Sequence, residues 1–326
     1  MTAQAERTTP TAPDTPARAT RRPARIAALC VWSVVVAAWW WRFGIPNDSI
    51  TVLLTLWLGT IAWNIEAPWR YHLAYVRDWS VPAVLLTFYF FSRGLVDEFD
   101  IDIHWTMPID VDVWIGGGVT PTERLQHAWC GDPCLRTSDP RWYDAYFTTV
   151  YATHFLAGLS IAAVLWVRDR AEWLKWMRRF IWLNLGGLVI YIAYPMAPPW
   201  LASKEGYLGD VARLTSRGWR DIGLSRVDVI LNGVGNPVAA MPSLHAGTAI
   251  LIAIYGITRL RSPWRWLLAL YAASMCVALV YNGEHYVIDE IAGGALAVLV
   301  LVLASRWERW RTPAPEPTPV ASSADQ

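Results

Sequence analysis

The sequence predicts an all-α fold, a polytopic membrane helix bundle with about eight transmembrane helices. Three observations lead there. The 326-residue chain is 54% hydrophobic and carries only 17% charged residues, where soluble domains usually carry about a quarter. Its apolar residues gather into eight long runs. Its formal net charge is just +1, yet Lys and Arg are spread unevenly over the segments that join those runs.

In order, the runs are Ile26–Trp41, Ile50–Ile65, Trp79–Leu95, Tyr146–Val167, Phe180–Tyr194, Ala240–Tyr255, Trp264–Tyr281 and Tyr286–Ser305. Several are a little short for a hydrocarbon core of about 30 Å, so the runs fix the helix ends only to within a few residues. The second is the least secure as a span, because Asn64 and Glu66 sit at its end.

Orientation follows from base placement. With the N-terminus inside, the inner segments hold Arg21, Arg22 and Arg25, then Arg70 and Arg77, then "RDRAEWLKWMRR". Arg259, Arg261 and Arg265 come next, and Arg306, Arg309 and Arg311 close the series. The opposite segments are poorer in base or acidic, as in "LVDEFDIDIHWTMPIDVDVW"; one, between the fifth and sixth runs, is basic and departs from the rule. Both termini are therefore expected in the cytoplasm, with the protein in the cell membrane as a multi-pass chain.

The organisation is then a disordered cytoplasmic tail (1–25), N-terminal transmembrane helices (26–95), a long outer loop (96–145), a catalytic transmembrane core (146–305) and a second disordered cytoplasmic tail (306–326). Both tails are rich in Pro, Thr and Ala and cannot bury a core. No small-residue cleavage site follows the first run, so no signal peptide is expected. The many Trp at run ends fit interfacial anchors. In the outer loop, "WCGDPCL" places Cys130 and Cys134 for a disulfide if that face is oxidising; a zinc knuckle would need two more ligands, and only His127 is close. Cys30 and Cys276 fall inside runs and read as packing residues.

The chemistry gathers at the outward ends. "YPMAPPW" (194–200) follows the fifth run, and a basic loop with Lys204, Arg213, Arg217, Arg220 and Arg226 comes next. "AAMPSLHAGTA" then puts Ser243 and His245 at the start of the sixth run, and "YNGEHYVIDEIAGG" puts His285 and Asp289 at the start of the eighth. His285 and Asp289 are four residues apart and share a helix face. The drawn topology brings both histidines to one side of the membrane, each near a helix N-terminus. One histidine can attack phosphorus if a carboxylate orients its ring. The other can protonate the leaving oxygen, while guanidinium groups, a lysine and helix N-terminal N–H groups hold the phosphoryl oxygens. Metal binding by His245, His285 and Asp289 has suitable ligand types but no supporting spacing. A lone H-x-x-x-D pair is most often a local hydrogen bond; ionisable groups within membrane segments raise the functional reading.

"PSLHAG" and "GEHYVIDEIAGG" resemble the second and third motifs of the type-2 phosphatidic acid phosphatase superfamily, especially its inositol phosphorylceramide synthase (inositol phosphotransferase) branch, and "YPMAPPW" resembles that branch's proline-rich stretch. The resemblance covers roughly residues 140 to 305 and implies a six-helix phosphatidic acid phosphatase-like core. It implies His285 as nucleophile, Asp289 as its orienting partner and His245 as general acid. The superfamily's K-x6-R-P motif is missing, since the sole Arg-Pro pair is Arg22-Pro23, and the S-R-x5-H form fails because Ala278 and Leu279 fill its first two slots. Phosphate-binding bases therefore rest on loop position: Lys204, Arg213, Arg217 and Arg220, with Arg226 beside them. Ser243 either donates to phosphate or caps the sixth run. Tyr151 and His154 share a face of the fourth run; Tyr151 is a candidate substrate contact, and His154 reads first as a bond within the bundle. Gly293, Gly294, Gly186 and Gly187 read as close helix packing.

The expectation is a lipid phosphotransferase or phosphatase working at the outer leaflet through a phosphohistidine, on a membrane lipid, with inositol or another polyol as acceptor. It needs no cofactor and no metal, and no nucleic-acid partner is expected. The alternatives are a lipid phosphate phosphatase of undecaprenyl or phosphatidate type and, from another class, a non-catalytic lipid transporter. Against transport stand the absence of an internal repeat and of paired broken helices near mid-membrane.

Overall fold

The computed structural model describes residues 22–44, 46, 48–94, 101–221 and 236–311. Twelve α-helices lie among them, and no strand does. They are α1 (Arg22–Phe43), α2 (Ser49–Trp63), α3 (Trp69–Gly94), α4 (Thr106–Ile115), α5 (Pro121–Trp129) and α6 (Trp142–Arg168). Then follow α7 (Arg170–Ala193), α8 (Pro199–Lys204), α9 (Arg217–Asp221), α10 (Leu244–Arg259), α11 (Leu267–Tyr281) and α12 (Val287–Arg311).

Each of the eight apolar runs lies largely on a helix. Among the described residues, four helical stretches are long and apolar enough to cross a bilayer: α1, α6, the continuous Pro263–Tyr281 and α12; α2 and α10 are shorter apolar helices. The chain is a multi-pass, all-α membrane helix bundle. Residues 22–25 and 306–311, read as tail from composition, are helical; residues 1–21 and 312–326 lie outside the described set.

Local chemistry sets the helix ends. Asp48 caps α2 by accepting the N–H of Thr51 at 2.7 Å, and α5 opens on a full capping box between Thr120 and Glu123 with Pro121 in its first turn. Such caps satisfy N–H groups that have no partner inside the helix. α6 and α7 are joined by Asp169 alone, whose carboxylate accepts from Ala171 and Glu172 at 2.9 and 3.1 Å. This near-absent connection makes the two helices antiparallel neighbours, and they pack along their length.

The core joins α2, α3, α6, α7, α10 and α12. α10 is central, packed on both α11 and α12, while α1 lies chiefly on α2 and buries no residue fully. The reading of Trp as interfacial anchors needs correction for four of them. Trp79, Trp166, Trp173 and Trp176 are buried. Tyr75 stacks on Trp79 with centroids 4.7 Å apart and meets Trp166 edge-on at 5.2 Å. Run ends that pack against other helices present Trp to protein instead of headgroups. Trp39, Trp41, Trp142 and Trp310 do remain exposed.

At the end of the bundle where α7 begins, Glu172 gathers Lys175 (2.7 Å), the hydroxyl of Tyr255 (2.8 Å) and Arg259 (3.0 Å). Burial raises its pKa, but these three donors outweigh burial and hold it at about 2, below its ordinary 4.5. A depressed carboxylate pKa stabilises the fold above the unfolded value, and this support is lost as pH falls through the folded one. Acid unfolding between pH 4.5 and about 2 should therefore be shallower in Glu172→Gln than in wild type. Thermal midpoints measured across that window check it.

Candidate active site

Two helix N-termini meet at the opposite end of the bundle. Pro242 cannot continue a helix backward from α10, and Ser243 caps it, its Oγ accepting the N–H of Ala246 at 3.2 Å. The cap uses the Ser243 oxygen as acceptor, which leaves its O–H able to donate. His245 follows in the first turn. α10 and α12 touch backbone to backbone here: the Ser243 N–H donates to the carbonyl of Asp289 at 2.9 Å. A Cβ placed on Gly293 would stand 2.2 Å from the Ser243 carbonyl oxygen, and one on Gly247 would stand 3.0 Å from that of Gly293. Glycine at both positions lets the helices approach far enough for their first turns to share a site.

His285 sits two residues before α12. Its Nδ1 lies 3.3 Å from Oδ2 of Asp289, which also accepts the N–H of Tyr286 at 2.9 Å. Both side chains are buried, Asp289 completely. His245 faces His285 with ring centroids 5.7 Å apart. It is packed by α6: Tyr151 stacks on it at 4.5 Å, and the His154 ring is 3.9 Å away. The structure thus brings together His285, Asp289, His245 and Tyr151. His154 joins them, in ring contact with His245.

The bases divide. Arg213 donates to Glu284, the residue before His285, at 2.7 Å and lies over the Trp200 ring at 4.6 Å; Thr215 also donates to Glu284. Arg217 is directed elsewhere: it is buried, 3.5 Å from Asp144, and donates to the carbonyl of Asp139 at 2.6 Å. Its guanidinium therefore ties α9 to the start of α6. Lys204 is exposed at the end of α8 beside Glu205, 3.7 Å away. Arg226 and the side chain of Arg220 lie outside the described residues. Cys130 and Cys134 form a disulfide with Cα atoms 5.2 Å apart. Among the described residues, no group of three or more His, Cys, Asp or Glu is placed to hold a metal ion.

The segment at 96–145 supplies parts of the site that the sequence left unassigned. Asp112 on α4 accepts the N–H groups of Val287 and Ile288 at 2.9 and 3.1 Å, so α12 receives its cap from a residue far upstream. Burial pushes the Asp112 carboxyl up, against the pull of those two N–H bonds. Gln126 on α5, fully buried, donates to the carbonyls of Tyr281 (2.9 Å) and Ala212 (2.7 Å) and accepts from the Ala212 N–H. Pro195–Ala197, within "YPMAPPW", is threaded between His104 and Val238–Ala240 by backbone bonds. Gly283, at φ +73°, makes the turn from α11 toward His285, a conformation that side chains with Cβ disfavour. Asp112→Ala should cost about 1–2 kcal/mol, since it strands two N–H groups at a buried helix start. Asp112→Asn, which keeps one carbonyl acceptor, should recover part of that; denaturation midpoints of the two variants separate them.

An integral membrane helix bundle that seats two histidines and one carboxylate on adjoining helix N-termini is the class defined by this fold and site. The family model of the PAP2 superfamily matches residues 127–303, more than half of the chain, and the chain belongs to that superfamily. It is 31% identical over 163 residues to the inositol phosphorylceramide synthase catalytic subunit of Schizosaccharomyces pombe, covering 47% of this chain and 38% of that protein. It is 32% identical over 142 residues to the phosphoinositol dihydroceramide synthase of Bacteroides thetaiotaomicron, covering 40% and 45%. With the inositol phosphorylceramide synthase of Candida albicans it shares 30% identity over 130 residues, covering 37% and 27%. The chain thus spans less than half the length of each of these relatives. No solved structure matches it.

Proposed function

We propose that the chain is a membrane lipid phosphotransferase that moves a phospho-headgroup to or from inositol through a phosphohistidine on His285. The observation that carries this reading is the buried His285–Asp289 pair with His245 facing it across 5.7 Å. Because Asp289 engages Nδ1, Nε2 is left to attack phosphorus. The carboxylate then stabilises the positive charge that develops on the ring. His245, protonated, gives its proton to the departing alkoxide as the phosphorus–oxygen bond breaks. In the second half, neutral His245 takes the proton of the acceptor alcohol, whose oxygen attacks phosphorus and displaces His285. Each half returns the other's proton, so the enzyme ends as it began.

Arg213, fixed beside the His285 turn by Glu284, supplies positive charge for phosphoryl oxygens; Lys204 and Arg220 are secondary candidates in that role, and Arg217 is not, since its guanidinium is engaged by Asp144 and Asp139. Tyr151, stacked on His245, holds that ring in place beside the substrate. The Lys and Arg distribution supports placing this end at the outer leaflet of the cell membrane, with both termini in the cytoplasm and eight crossings. That the relatives are an inositol phosphorylceramide synthase subunit and a phosphoinositol dihydroceramide synthase supports transfer over hydrolysis.

The test is incubation of the purified protein with a panel of lipid phosphates and phosphodiesters, with and without inositol, followed by mass spectrometry. A new lipid that appears only with an acceptor alcohol supports transfer. Free phosphate in every condition assigns the chain to hydrolysis, and an unchanged panel overturns the enzymatic reading.

A further inference from the structure

α7, α10 and α12 line an open cavity of about 290 Å³, far from the histidines. From His245 to Arg259, its counterpart at the other end of α10, the helix rises roughly 21 Å. Its lining includes Arg179, Arg259, Arg309 and Ser305, with Leu301 and Val302 as apolar members.

The charges around this cavity do not balance. Arg179 is 1% exposed and takes both oxygens of Glu308, at 2.7 and 2.8 Å, along with the Ser305 hydroxyl at 3.1 Å. Arg178 shares the same carboxylate. Glu172 serves both Lys175 and Arg259. Four cations (Lys175, Arg178, Arg179 and Arg259) therefore share two carboxylates (Glu172 and Glu308), and Arg309 adds a fifth positive charge to the cavity lining. Burial lowers the proton affinity of Arg178, Glu308 opposes this, and the neighbouring charges of Arg179 and Arg311 lower it further. Clustered, partly desolvated guanidinium groups call for an additional anion. The apolar flank narrows the choice. Val302 is 42% exposed on the outer face of α12 and Leu303 46%, so the cavity is bordered by a surface suited to acyl chains.

We propose that this cavity binds the headgroup phosphate of an anionic glycerophospholipid, held by Arg259 and Arg309, with its chains lying along Val302 and Leu303. Arg179 stands behind the phosphate and keeps both Glu308 oxygens occupied, which leaves Arg309 for the ligand. A basic pocket between transmembrane helices fits such headgroups on charge and geometry together. The site is separate from the catalytic end of the same helices, so occupancy there acts on bundle stability and not on the reacting groups.

The experiment measures thermal unfolding of the full chain in a neutral detergent with added phosphatidylglycerol, phosphatidylcholine or sodium phosphate. A ligand that binds only the folded state raises the midpoint. Phosphatidylglycerol should raise it, and phosphatidylcholine and free phosphate should not. Arg309→Gln, at an exposed position, should lose most of the shift, and Arg309→Lys should keep it. Equal shifts with both lipids, a full shift in Arg309→Gln, or reproduction of the shift by phosphate alone would overturn the proposal.

Discussion

His285→Ala should lower turnover by about 10⁴-fold or more while leaving the protein folded, because it removes the atom that forms the covalent bond in the proposed mechanism. The side chain is buried but lies ahead of α12, and the N–H groups at the start of that helix are capped by Asp112 and not by His285. Folding and catalysis therefore separate in this variant. Asp289→Asn should be milder, by about 10²–10⁴-fold, since an amide still orients Nδ1 but no longer offsets the charge of the imidazolium. The two are compared by steady-state assay with the responsive lipid, alongside thermal unfolding. Activity of His285→Ala within a few-fold of wild type would sink the phosphohistidine mechanism.

Gly293→Val should be the most damaging change that touches no reacting group. The added Cβ would start 2.2 Å from the Ser243 carbonyl oxygen, and backbone on both sides leaves no flexible side chain to give way. α10 and α12 must then part by about 1 Å or more. A displacement of that size between catalytic groups costs on the order of 10²-fold in rate, with about 1–3 kcal/mol of overpacking strain in addition. Gly294→Ala is the control. Its Cβ would meet the tip of Ile250 at 3.0 Å, a side chain able to rotate aside, so activity should stay close to wild type. Comparable losses in the two variants would show that the helix crossing does not set the distance between His245 and His285.

What the sequence made legible was chemistry written at short range. His285 and Asp289 are one helical turn apart, and Ser243 precedes an apolar run as a cap should, so both could be read from spacing. The glycines at 186–187 and 293–294 were legible as close packing for the same reason. Gly187 indeed faces Leu244, and Gly293 the Ser243 carbonyl. Asp112 was not legible: "IDVDVW" has neither a clear period nor a motif, and its task is defined by two N–H groups on a helix far along the chain. Gln126 is hidden in the same way. Loop position also could not distinguish Arg213, which reaches the residue beside His285, from Arg217, whose charge is spent on Asp144 within the fold. Helix ends were blurred because hydrophobicity reports the bilayer, whereas caps and ion pairs decide where a helix stops.

The bond from Asp112 to Val287 spans 175 positions of sequence, and this fixes an order of events during synthesis. α4 leaves the ribosome long before α12 exists, and contacts so distant in sequence form late. Until the last helix is inserted, Asp112 has no N–H groups to accept and His285 has no Asp289 beside it. On the proposed mechanism the nascent chain would be inert, and competence would arrive only once the last helix is in place.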